Sequence, residues 1–205
     1  MNTLHARLMV LGLLLCCGTT FSQSTDSFRL GLAIEIGGGQ NNLFWTSPTS
    51  GECPCAAAVD RTHFSLTPTI RLNYQVLLAG DFALLPFVGY NQLGGSSGWS
   101  TRYSFQTIEF GTFVLYRIPT FYFGVGTKIN RHMSVRFVHG GVAPEDRSSW
   151  FTKWSEDAGL RATYEFMPMS LSLESWFGLG NLAEGELSAA TIRENHYRIL
   201  FGYTL

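Results

Sequence analysis

The chain lacks several things that a soluble protein or a helical membrane protein would show. No stretch reaches the ~18 consecutive apolar residues that a membrane-crossing helix needs. Only 14% of its 205 residues are charged, against about 25% in soluble domains. The net charge of −1 leaves out the strongly basic face that nucleic acid requires, so no nucleic-acid partner is expected. Cysteine is scarce: of four in all, Cys16 and Cys17 sit in an N-terminal apolar stretch and only Cys53 and Cys55 lie beyond it. His63 is the one soft ligand near that pair, too little for a tetrahedral metal site, so no metal and no cofactor is expected. Long apolar runs are missing even though 45% of the chain is hydrophobic and 14% aromatic.

That combination arises when apolar residues are interrupted at every second position. The stretch from His196 to Leu205 sets Tyr197, Ile199, Phe201, Tyr203 and Leu205 against His196, Arg198, Leu200, Gly202 and Thr204. A period of two is a β-strand with one apolar and one mixed face. The pattern recurs from Phe28 to Ile36, Phe64 to Val76, Phe82 to Gln92, Phe105 to Tyr116, Phe121 to Asn130, Ala158 to Phe166 and Leu171 to Leu179. The third of these is the least regular, and there Val88 and Tyr90 are placed outward with Gly89 and Asn91 inward. Connections alternate between tight (77–81, 117–119, 167–169) and long (38–63, 93–104, 131–157, 180–195). Short turns on one side and long loops on the other predict an all-β fold: an eight-stranded antiparallel up-and-down transmembrane β-barrel, with short periplasmic turns and long extracellular loops. Pro119 and Pro168 fall in tight turns, where a missing N–H costs least. Pro68 lies inside the second strand, where a bulge or kink is expected.

Residues 1–22 have the form of a secretory signal. Arg7 stands in a short polar start, Leu8 to Cys17 are apolar, and Thr20-Phe21-Ser22 offers a small-x-small cleavage site. Residues 23–205 then form the barrel domain, exported to the bacterial outer membrane of a Gram-negative envelope.

The inward faces carry Arg29, Arg71, Lys128, Arg161 and Arg198 against Glu35, Glu109, Glu165 and Glu174. Charges costly against lipid can pair in a polar lumen. About eight strands leave an interior just wide enough for side chains. A filled, ion-paired core is therefore expected, with a narrow proton or ion path as the alternative. Cys53 and Cys55, in Gly51-Glu52-Cys53-Pro54-Cys55, sit at the tip of the first long loop. Export favours a local disulfide between them, although one intervening residue strains the ring; free or intermolecular thiols are the alternative. Phe44 and Trp45 in the first loop, and Trp150, Phe151 and Trp154 in the third, are candidate contact residues for an envelope protein partner. Packing of these loops on the barrel rim is the other reading.

Four stretches carry a resemblance to a known family: Leu85-Pro86-Phe87-Val88-Gly89-Tyr90-Asn91, Glu109-Phe110-Gly111 through Leu115-Tyr116-Arg117, Phe121-Tyr122-Phe123-Gly124-Val125-Gly126-Thr127-Lys128, and Phe201-Gly202-Tyr203. With them the mature chain resembles the small bacterial outer-membrane β-barrel domain proteins labelled "porin-like" or "outer membrane protein beta-barrel". The resemblance implies a lipid environment, contact with the barrel-insertion machinery and no uniform activity. In that family a final aromatic serves as the insertion signal; here Leu205 is last and Tyr203 precedes it on the same face.

Some barrels of this size modify lipids. The lipid A deacylases use a His-x-Ser pair with a carboxylate, and i, i+2 residues of a strand share a face. Val135 to Gly141 resembles their Arg-x-x-His-x-Ser segment, with Gly141 in the serine position after His139. His132-Met133-Ser134 has the literal spacing but falls just past the fifth strand, in a hairpin or loop, unless Met133 to His139 extends that strand. The expected protein is non-enzymatic, with catalytic residues none, and serves the envelope structurally or through its loops. A lipid-modifying enzyme and a subunit of a secretion or assembly machine are the alternatives.

Overall fold

The computed structural model describes residues 31–46, 68–78, 80–97, 101–139, 143–185, 188 and 190–205, with backbone alone at 45–46, 94–97, 101–102 and 139. Among the described residues there are nine strands: β1 Gly31–Thr46, β2 Thr69–Leu77, β3 Phe82–Ser97, β4 Thr101–Ile118, β5 Phe121–His139, β6 Glu145–Asp146, β7 Trp154–Phe166, β8 Met169–Gly178 and β9 Thr191–Thr204. Eight of them build the wall, each antiparallel to its chain neighbour, and β1 pairs with β9 to close it. β6 is a two-residue strand that adds to the free end of β5 at Arg136 and Phe137.

The face assignments read from alternation match the burial. Ile34, Ile36, Ile70, Leu72, Phe110, Val125, Leu160, Leu173, Ile199 and Phe201 are all exposed on the outer wall. A contiguous apolar belt of this extent has no place in water, and a closed barrel leaves no backbone group unpaired in hydrocarbon. The chain is a transmembrane β-barrel. An aromatic girdle rings its short-turn rim: Phe82 and Tyr116 approach to 5.4 Å, Phe121 and Tyr164 to 4.9 Å, and Tyr164 and Phe166 to 5.9 Å between ring centroids.

Strand lengths correct the sequence reading. β1 runs on through Asn41 and Leu43 to Thr46 in register with β9, so Phe44 and Trp45 belong to a strand and not to a loop. Of the expected long connection 93–104, residues 93–97 and 101–104 are strand, because β3 and β4 stay paired up to Ser97 and Thr101. Most of 131–157 is also strand. Alternation fails in these outer segments because the inward face turns apolar near the mouth, where Leu43, Leu93, Phe105, Val135 and Ile192 form a buried cluster. Two apolar faces erase the period of two.

The irregularities lie elsewhere than expected. Pro68 stands just before β2 and its carbonyl accepts from Gln92 N at 3.1 Å; the stretch 64–67 is outside the described residues. Pro86 sits within β3, and the β2–β3 ladder skips Tyr74 and Gln75 opposite Leu85 and Pro86 while keeping register on either side. The one bulge between β4 and β5 is at Met133: Thr107 pairs with His132 and Gln106 with Ser134. The glycines of β1 have a different task. An added Cβ at Gly37 or Gly39 would fall on the carbonyl oxygen of Ile199 or Tyr197 in β9, so at these two positions the seam closes because β1 has no side chain there.

Candidate functional site

The middle of the barrel is an ion-pair cluster drawn from seven strands. Arg71 on β2 donates through Nη2 to Glu109 Oε1 at 2.9 Å and through Nη1 to Glu174 Oε1 at 2.6 Å. Arg161 on β7 donates to Glu174 Oε1 at 2.6 Å, to Ser172 Oγ at 2.8 Å and to Glu35. Arg198 on β9 reaches both oxygens of Glu109 at 2.8 Å, and Lys128 on β5 donates to Glu109 Oε2 at 3.0 Å. Every one of these side chains is buried. The carboxylates accept charge-assisted, partly bidentate bonds, which tolerate burial where a lone charge would not.

One of the expected charges is not in this cluster, and a second is not described. Glu165 is half-buried near the short-turn rim, hydrogen-bonded with Tyr122, and Arg29 lies outside the described residues. Asn130 and His196, at the ends of their assigned strands, face inward and are buried, and alternation overlooked two more because it ended the strands too early: Asp157 and Glu194 also face inward and are buried. Lys128 Nζ lies 2.7 Å from His196 Nε2 and 3.4 Å from Asp157 Oδ2. The only signal for these residues was that each stands an even number of positions from an assigned inward residue on its own strand.

Apolar layers cover the cluster on both sides. Toward the short turns, Leu85, Phe87, Phe113, Leu115, Tyr122 and Trp176 pack together. Trp176 lies 4.9 Å from Phe113 between centroids, and its Nε1 donates to Glu174 Oε2 at 2.8 Å. Gly159 on β7 gives its ring room, since a Cβ there would strike the indole. Arg71 stacks on Phe87 at 4.0 Å and Lys128 over Trp176 at 4.7 Å, so the apolar layer also faces the cations favourably.

At the loop rim, the segment after β5 folds back into the mouth. Arg147 N donates to Val135 O and Thr152 N to Leu182 O, both at 2.9 Å, and a short 3-10 turn, Ser148–Trp150, directs Phe151 inward. Phe151 is buried edge-on against Phe105 at 5.0 Å. It is therefore a cap and not a contact residue, which corrects the sequence reading; Trp150 packs beside it under Arg147. Phe44 and Trp154 do point outward, and Arg131 lies over the Trp154 ring at 5.6 Å. Asp146 anchors the turn, accepting from Ser148 Oγ at 2.5 Å and from Ser148 N at 2.9 Å, and these bonds hold its carboxyl below the ordinary range. Phe151→Ala should cost about 3–5 kcal/mol by removing a large buried ring. Proteolysis of the 143–153 loop in the folded barrel should speed up accordingly; an unchanged rate would mean the cap is not fastened by this ring.

The candidate catalytic pairs fare differently. His132 lies within β5 and not in a loop, and the bulge at Met133 separates it from Ser134. His132 faces inward, between Thr107 Oγ1 and Ser155 Oγ, each at 3.1 Å, while Ser134 Oγ donates to Gln106 Oε1 at 3.1 Å. The i, i+2 geometry that would join base and nucleophile is lost. The His132–Ser155 contact has no carboxylate on its far nitrogen, which meets Thr107 instead, and it lies beneath Phe105. The side chain of His139, Gly141, Cys53 and Cys55 lie outside what is described, as do residues 1–22.

No family model matches the chain, and no curated protein sequence matches it. Among solved structures it is similar to Ail, the attachment invasion locus protein of Yersinia pestis, solved with the heparin analogue sucrose octasulfate. Identity is 12%, over 86% of this chain and all of that one (100%), with a TM-score of 0.49. Neisserial surface protein A gives 9% identity over 85% of this chain and 97% of that one, also at 0.49. AlkL, an outer membrane protein solved in DMPC bilayers, gives 13% over 92% and 96%, at 0.47.

Proposed function

We propose that the protein is a closed, non-conducting and non-enzymatic barrel that serves the envelope structurally or through the surface of its loop rim. A closed antiparallel barrel with an apolar belt and tight turns along one rim is built for the outer membrane of bacteria, and that is where this chain resides. The observation that supports the rest of the reading is the packed interior: among the described residues a buried ion-pair cluster lies between two apolar layers. On this reading residues 1–22 are the export signal removed before insertion.

Gel migration and planar-bilayer conductance test it together. The unboiled protein should run faster than the boiled one and give no stable conductance. A steady conductance would overturn the closed interior, and absence of a heat shift would overturn the barrel in the membrane. The enzymatic alternative has its own test. Ser134→Ala should leave lipid A acylation of the host membrane unchanged, as should expression of the unaltered chain; deacylated lipid A that depends on Ser134 would restore that alternative.

A further inference from the structure

Between the ion-pair cluster and the apolar cap the wall turns a ring of polar side chains inward. Asn41 on β1, Glu194 on β9, Asp157 on β7 and Asn130 on β5 follow one another round it, and Gly178 on β8, paired with Asp157 and close against the Glu194 backbone, adds no side chain between the two carboxylates. All four polar residues are buried, none more than 1% exposed. Asn41 Nδ2 donates to Glu194 Oε1 at 2.8 Å and Asn130 Nδ2 to Asp157 Oδ2 at 2.8 Å. His196 stands between the carboxylates, its Nε2 3.5 Å from Asp157 Oδ2 and its Nδ1 3.6 Å from Glu194 Oε1.

Each amide thus gives its N–H to a carboxylate, and four oxygens remain without a partner: Asn41 Oδ1, Asn130 Oδ1, Asp157 Oδ1 and Glu194 Oε2. All are acceptors. The charge is also unbalanced. Among the described residues the buried acids are Glu35, Glu109, Asp157, Glu174 and Glu194, and the buried permanent cations are Arg71, Lys128, Arg161 and Arg198. His196 does not make up the difference, because an ammonium only donates and Lys128 therefore occupies Nε2 as an acceptor. Among the described residues the buried acids therefore outnumber the buried permanent cations by one, and the unpartnered oxygens belong to the two acids and two amides of this ring.

Buried acceptors without partners are costly, and folded interiors fill such places with water or an ion. Water alone would supply donors but no charge. A hard cation takes carboxylate and amide oxygens together, with waters completing its shell. No trio of His, Cys, Asp and Glu among the described residues is spaced to hold a metal ion, which argues against a thiolate- or imidazole-led transition-metal site and not against an oxygen-ligated one. We propose that Asp157, Glu194, Asn41 and Asn130 hold one small hard cation, of the alkali or alkaline-earth class, enclosed beneath the Phe105–Phe151 cap.

The test uses the full barrel in detergent. Its thermal midpoint, read from heat-modifiable migration, is measured at constant ionic strength as choline chloride is replaced by sodium, potassium or calcium chloride. At least one small cation should raise the midpoint by several degrees with saturation, and the Asp157→Asn/Glu194→Gln double variant should lose that dependence. Equal midpoints in choline and in all three salts would overturn the proposal, as would an unchanged response in the double variant. Either result would leave the ring holding water or a proton. Should the double variant not fold, thallium(I) soaked into wild-type crystals decides: an anomalous peak between Asp157 and Glu194 supports the site, and its absence overturns it.

Discussion

Replacing Gly39 by valine should prevent the barrel from closing. The first and last strands meet from Ala33 and Thr204 to Thr46 and Thr191, and in the middle of that seam a side chain on Gly39 would occupy the space of the Tyr197 carbonyl. Backbone on both sides leaves nothing that can rotate away, so relief requires breaking the ladder. In a closed barrel a broken ladder leaves two edges exposed to lipid, each with unpaired N–H and C=O groups. The expected result is loss of the fast-migrating unboiled band. Gly180→Val is the control, since a Cβ there meets nothing within 4 Å and the folded band should persist. A folded Gly39→Val barrel would show that the seam can re-register.

Glu109→Gln should be the most damaging isosteric change in the interior. Its carboxylate receives Arg71, Lys128 and Arg198 at 2.8 to 3.2 Å. The amide keeps the shape, removes the charge and turns N–H groups toward three cations. Breaking a buried pair by neutralising one partner typically costs about 3–5 kcal/mol, and here one carboxylate serves three partners. Urea unfolding of the barrel in lipid vesicles should show a loss of at least that order, whereas Asp81→Asn in an exposed turn should stay within about 0.5 kcal/mol. A Glu109→Gln barrel as stable as the wild type would mean that the cluster specifies register more than it stabilises.

The wall was legible in the sequence because lipid outside and polar groups inside enforce a period of two. Leu32 to Ile36 and His196 to Leu205 announce their faces residue by residue, and Val88 and Tyr90 are placed correctly in a strand with apolar residues on both sides. That code is silent wherever the lumen itself becomes apolar. Leu43 beside Phe44, Leu93, Tyr103 and Ile192 look like loop composition, so the strands appear to end some residues early. Phe151 looked like an exposed aromatic for the same reason: nothing in Trp150-Phe151-Thr152 indicates that the loop re-enters the mouth. Arg71, Glu109 and Arg161 could be placed inward from the sequence, but not who meets whom, because pairing depends on how far the strands are staggered around the wall. His132 and Ser134 failed as a pair through a single extra residue, which no composition signal marks.

The interior contacts also set the order in which this chain can fold. Asn41 and Glu194 are 153 positions apart, Glu35 and Arg161 126, and Arg71 and Glu174 103. Contacts so remote in sequence raise contact order, and their loop-closure entropy must be met before any of them contributes. A partly assembled sheet, with β1 to β8 paired and β9 not yet docked, would hold guanidinium groups near hydrocarbon without all their counter-charges. Intermediates of that kind are poorly populated, so the transition should be a late, concerted one, slow without assistance and vulnerable to aggregation until the final strand arrives.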